Sequence, residues 1–145
     1  MEKWGTLTYK AFARFLSFTN IYLTMVQRFV FFNSRDCLIR LDISKIVFFE
    51  GDGNYTKIIT MDKQLNCLTM NLSRMEEVLA DQLGESAKCF MRIGKRYIVN
   101  MNFIHRIDIL KQKLFLSDNA TFAFSLSISK EALKAVKELV IKARI

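Results

Sequence analysis

From Gln27 onward the apolar positions of this chain come in short runs, each cut off by a polar cluster. Arg28 to Phe32 is aromatic and β-branched, Asn33-Ser34-Arg35-Asp36 is a polar turn, and Cys37 to Arg40 returns as a partner strand. Ile43 to Phe49 is apolar enough to lie deep in a sheet. Glu50-Gly51-Asp52-Gly53-Asn54 follows as a cluster of turn formers, with Glu50 and Asp52 expected to set the turn. Its two glycines can take positive φ and fold the chain back tightly. Tyr55 to Met61 and Leu65 to Met70 are two strand-like runs joined at Asp62-Lys63-Gln64. In the first, Tyr55, Lys57 and Ile59 alternate with Thr56, Ile58 and Thr60, so neither face is purely polar.

At Asn71 the period changes. Leu72, Met75, Val78, Leu79 and Leu83 recur at helical spacing, and Gly84 is a reasonable stop. Ser73 and Glu76 have the spacing of a capping box, and Arg74, Glu77 and Asp81 are expected on the exposed face. Short runs then resume: CFM, RYIVN, FIHRIDIL, KLFLSD and ATFAFSLSI, with turns at Leu110 to Lys113 and Ser117 to Ala120. Ser129 to about Ala143 reads as a last helix with Leu133, Val136, Leu139 and Val140 on one stripe. Lys130, Lys134, Lys137, Lys142 and Arg144 lie mostly off it. The pattern predicts a mainly β (α+β) fold: about ten short strands in small, mostly antiparallel sheets with two attached helices, since no βαβ alternation occurs.

Residues 1–26 have a different texture. Lys10 and Arg14 interrupt the apolar stretch, and its longest uncharged run, Phe15 to Val26, is 12 residues. A bilayer span needs about 20, and no small-residue cleavage site marks a signal peptide. The segment is expected to form a helical extension that packs on the domain at residues 27–145 or on a second copy. The alternative is a membrane-proximal interaction module whose Trp4, Tyr9, Phe12 and Phe15 lie at a lipid or protein interface.

Composition narrows the partners. The 145 residues carry a net charge of +8, which attracts nucleic acid, an anionic membrane face or an acidic protein without bearing on fold. A hydrophobic fraction of 51% is that of a globular chain, and the length suits one domain with a short appendage. Cys37, Cys67 and Cys89 are an odd number without Cys-x-x-Cys spacing. They read as free thiols of a reducing compartment, two of them half-buried in strands. No catalytic set converges: the lone His105, between Ile104 and Arg106, reads as structural, and no G-x-S-x-G, H-E-x-x-H or phosphate-gripping glycine loop occurs. The EGDGN stretch lacks the later ligands of a calcium loop. The reading is therefore a non-enzyme without cofactor or metal.

Positive charge gathers in FMRIGKRYIVN, where Arg92, Lys95 and Arg96 flank Gly94 ahead of the apolar Tyr97-Ile98-Val99. Read alone this is a solvated turn or a polyanion contact. This stretch, KIVFFEGDGNYTKIIT, LSRMEEVL and LSISKEALKAV occur in the order and at the distances of the LytTR-type DNA-binding domain, which the chain resembles over about residues 27–142. That family is the output module of many bacterial two-component response regulators. The resemblance implies an elongated, mainly β fold that holds double-stranded DNA with loops reaching into successive major grooves. Carried onto this chain, the DNA-binding positions are Asn54, Tyr55, Thr56 and Lys57, then Arg92, Lys95 and Arg96, then Ser129 and Lys130. Lys57 and Tyr55 have weaker claims, Tyr55 being expected to pack and Asn100 to cap the turn after its strand.

The chain departs from the family at Gly94, where histidine is common, at Arg96, where a small polar residue is common, and at Lys130, where arginine is common. Lysine holds a phosphate as a point charge but lacks the fork that reads guanine, so these departures bear on base preference. Residues 1–26 hold no acidic cluster for a phosphate-accepting receiver. The expectation is a cytoplasmic, stand-alone, sequence-specific transcription regulator, with homodimers on paired half-sites.

Overall fold

The first four residues of strand 46–52 are buried on both faces, and the architecture follows from that. The structure, a computed structural model, describes residues 28–143. The expectations for residues 1–26, helix or membrane contact, lie outside the described residues.

Among the described residues ten strands form in chain order: β1 (Phe29–Asn33), β2 (Leu38–Asp42), β3 (Ile46–Asp52), β4 (Tyr55–Thr60), β5 (Leu65–Leu68), β6 (Phe90–Ile93), β7 (Tyr97–Asn100), β8 (Ile104–Asp108), β9 (Lys113–Ser117) and β10 (Ala123–Ser127). Among the described residues the α-helices are α1 (Leu72–Leu83) and α2 (Lys130–Ala143). The central sheet has the order β5-β4-β3-β7-β6; β10-β9-β8 make a second sheet and β1-β2 a hairpin. Every pairing is antiparallel.

Two cores sandwich the central sheet. On one face Ile46, Phe49, Ile58 and Ile98 pack with Val30 and Phe32 of the hairpin and Leu72, Met75, Leu79 and Leu83 of α1. On the other, Val47, Phe48, Tyr97 and Val99 pack with Leu114, Leu116 and Leu126 of the second sheet and Leu133 and Val136 of α2. Val47 and Phe48 are consecutive yet share a face, because the β3–β4 register shifts between Ile46 and Phe48. Such a bulge re-aims one side chain. A strand covered on both sides needs no polar alternation, which is why Ile46 to Phe49 is uniformly apolar. The phenylalanines tie the layers edge-to-face: Phe49 meets Phe32 and Phe90, while Phe48 meets Tyr97 and Phe124. Each such pair adds about 0.5–1.5 kcal/mol beyond burial.

Some local expectations change. Thr56, Ile58 and Thr60 form the buried face of β4, and the Thr56 hydroxyl donates to the Met70 carbonyl at 2.6 Å. Tyr55, expected to pack, is 51% exposed. The cap of α1 is Asn71, whose Oδ1 accepts from Arg74 N at 2.8 Å; the Ser73–Glu76 capping box does not form because Asn71 already takes that position and Glu76 pairs elsewhere. In α2 Leu139 is exposed, lying about a quarter turn from the centre of the buried Leu133, Val136 and Val140 side. Only Cys89 is half-buried, on a 3-10 turn, and burial raises its thiol pKa; Cys37 and Cys67 are exposed.

Asn100 does more than cap its turn. It is 1% exposed, its Oδ1 accepts from Asn102 N at 3.1 Å, and its Nδ2 donates to the Ile46 carbonyl at 2.9 Å, clamping β7 to the start of β3. Asn100→Ala leaves the Ile46 carbonyl without that donor. Urea unfolding followed by circular dichroism should show a loss of about 1–3 kcal/mol at an unchanged m-value.

Asp118 organises the β9–β10 turn, accepting from the amides of Ala120, Thr121 and Phe122 and from the Thr121 hydroxyl. These bonds, led by the hydroxyl, hold its carboxyl far below the ordinary carboxylate range. A depressed folded-state pKa contributes stability that is full above the unfolded value and is lost as pH falls. The melting advantage of wild type over Asp118→Asn should therefore be complete at neutral pH and shrink below about pH 4.

Candidate nucleic-acid interface

Backbone pairing brings two loops to one end of the central sheet. Glu50 of β3 is in register with Tyr97 of β7, and beyond that pair Gly51 N donates to the Arg96 carbonyl at 2.8 Å. The Gly53-Asn54 turn between β3 and β4 therefore emerges beside the Gly94-Lys95-Arg96 loop between β6 and β7. Gly94 has φ +64°, which glycine adopts without strain. The start of α1 closes the third side: a Cβ on Gly51 would sit 3.4 Å from Leu72 Cβ. Gly51, Gly53, Asn71, Leu72, Ser73, Arg92, Lys95 and Arg96 line the resulting open depression of about 390 Å³.

The charges at this rim differ in how firmly they are held. Arg92 reaches across to α1, with Nη1 2.6 Å from Glu76 Oε1 and 3.4 Å from Ser73 Oγ, while Nη2 donates to the Lys95 carbonyl at 3.0 Å. Its Nε is buried and has no partner among the described residues. The side chain is 28% exposed. Arg96, 64% exposed, lies 3.5 Å from Glu50 and over the Tyr97 ring at 5.8 Å. Burial first, and then the Glu50 charge, raise the Tyr97 phenol pKa. Lys57 pairs with Asp52 across the hairpin at 3.6 Å. Glu50 and Asp52 thus offset neighbouring cations rather than bonding into the turn they were expected to set. The Lys95 side chain is exposed, and its ammonium has no partner among the described residues.

The nine positions singled out from sequence fall into three groups. Asn54, Tyr55, Lys95 and Arg96 are exposed at the two adjoining loops. Thr56 is fully buried, and Arg92 and Lys57 are half-buried with carboxylate partners. Ser129 and Lys130, at the start of α2, are not among the residues that line the depression. There Ser129 Oγ accepts from Ala132 N at 3.3 Å, and the preceding Ile128 N donates to Gln112 O at 3.1 Å. Asn71, Ser73, Glu50 and Glu76 were not foreseen. Glu76 and Arg92 are 16 positions apart, so no local spacing announces their contact.

Among the described residues no group of three or more His, Cys, Asp or Glu could hold a metal ion, and no helix is long and apolar enough to cross a membrane.

The chain is similar to two curated proteins of Paraburkholderia xenovorans (strain LB400), the heme-containing CO-sensing transcriptional regulators RcoM 1 and RcoM 2. Identity is 29% and 28% over 104 residues, 71% of this chain and 36% of each relative. The chain thus spans about a third of the length of the curated relatives it matches. Among solved structures it resembles the LytTr DNA-binding domain of a methyl-accepting/DNA response regulator from Bacillus cereus. The TM-score is 0.54 at 19% identity, covering 78% of this chain and 96% of that one, a likeness of fold. The model of the LytTr DNA-binding domain matches residues 36–141, from the turn before β2 to the end of α2, and on that span and this fold the chain belongs to the LytTr DNA-binding domain family.

Proposed function

We propose that this chain is a sequence-specific transcription regulator that holds double-stranded DNA against the loop end of its central sheet, with residues 27–145 as the binding unit. The observation that carries this is the placement of Lys95, whose ammonium has no partner among the described residues, and Arg96, loosely paired, on a loop bonded to β3 through Gly51. A cation on a stiff loop meets a phosphate or base edge without first being ordered, so little conformational entropy is lost on binding.

Asn54, Tyr55, Lys95 and Arg96 form the first contact and enter a major groove. Ser129 and Lys130, at the start of α2, form a second contact farther along the duplex. Thr56, Lys57 and Arg92 support the loops from behind. Arg96 is loosely enough paired, at 3.5 Å and mostly exposed, for a phosphate to displace Glu50. Two copies on paired half-sites would double these contacts. The proposal assigns no receiver function to any of the 145 residues.

The double variant Lys95→Ala/Lys130→Ala tests this. Both lysines are exposed and unpartnered among the described residues, so the melting temperature should hardly move. Retardation of target duplex should be lost at moderate salt. If both lysines neutralise phosphates, the log–log dependence of affinity on salt should flatten by about 1.8, roughly 0.9 per contact. Undiminished binding by the variant would remove these two loops from the interface.

A further inference from the structure

We infer that Glu76, acting through Arg92, is a positioning residue for the Gly94–Arg96 loop and sets discrimination between DNA sequences rather than affinity for DNA as such. The inference rests on the DNA-binding reading above and deepens it.

The geometry is a relay from helix to loop. Glu76, on the outer side of α1, accepts from Arg92 Nη1 at 2.6 Å, and Arg92 Nη2 donates to the Lys95 carbonyl at 3.0 Å. The next carbonyl, that of Arg96, accepts from Gly51 N at 2.8 Å. Two consecutive loop carbonyls are thus held, one by Arg92 of β6, itself paired with Glu76 of α1, and one by Gly51 of β3. Holding both carbonyls fixes the two peptide planes that flank the Arg96 Cα, and with them the direction in which the Arg96 side chain leaves the loop, while Lys95 has one of its two flanking planes held. Arg92 is therefore not a free cation. Its buried Nε has no acceptor among the described residues, an unfavourable placement that the remaining bonds must offset. Glu76 supplies the charge-assisted one.

Phosphate and base contacts respond differently when such a loop loosens. A phosphate attracts a cation over several ångströms and tolerates misplacement. A base edge demands hydrogen-bond distance and angle. Neutralising Glu76 also releases the Arg92 guanidinium as one more mobile cation. Binding to unrelated duplex should then hold or strengthen, while binding to the preferred duplex weakens.

The test uses the whole chain and Glu76→Gln. The probes are a duplex enriched by the wild type from a random-sequence library and a shuffled version of that duplex. The dissociation constant of the shuffled duplex divided by that of the enriched duplex should fall roughly tenfold, the scale of one impaired base contact. Loss of folded protein would weaken both affinities alike, and simple removal of a negative charge would strengthen both alike, so neither moves the ratio. Backbone order parameters of Gly94, Lys95 and Arg96 in DNA-free protein should drop in Glu76→Gln and recover in part in Glu76→Asp. An unchanged ratio overturns the discrimination claim, and unchanged order parameters overturn the relay. If the wild type enriches no duplex, the DNA reading falls and the discrimination claim with it, while the order parameters still decide the relay.

Discussion

Double-sided burial of β3 and β7 is the constraint from which the rest of the domain follows. Val47, Phe49, Ile98 and Val99 are at most 1% exposed and face alternate cores. Each large side chain so buried contributes about 1.5–3 kcal/mol, and neither strand can shift by a residue without turning its apolar set toward the wrong layer. Register is therefore rigid, and rigid register is what holds Glu50 opposite Tyr97 and Gly51 against the Arg96 carbonyl. The loops beyond those pairs inherit fixed positions from that core.

Electrostatics then divides the labour among similar residues. Arg92 is half-buried and shares hydrogen bonds with a carboxylate, a hydroxyl and a backbone carbonyl. Arg96 is largely exposed and holds its carboxylate at 3.5 Å. An exposed ion pair is worth about 0–1 kcal/mol, little enough for a polyanion to displace. Lys95, with no such partner among the described residues, is the freest of the three. Three cations within five positions of sequence thus occupy three different physical states.

Much of the fold was legible because its signals are local. The even succession of apolar runs and turn clusters marks the strands, and the change to helical period at Leu72 marks α1. Leu72, Met75, Leu79 and Leu83 are buried as their spacing requires. Local signals failed where two readings compete. Ser73 and Glu76 satisfy a capping pattern, yet Asn71 takes the cap. Leu139 continues an apolar stripe, yet α2 presents its Val140 side to the core. The threonines of β4 face inward because Ile58 between them does, and Thr56 finds a carbonyl there.

The candidate site was legible only as a composition of loops. Chain order alone carries the turn glycines, the basic cluster after Phe90 and the apolar anchors behind it, since these depend on residues adjacent in sequence. Which cation is free and which is bound depends on contacts between distant segments: Arg92 with Glu76, Arg96 with Glu50, and Gly51 with the Arg96 backbone. Charges interact through space, so their state is decided when the sheet brings those segments together and not before.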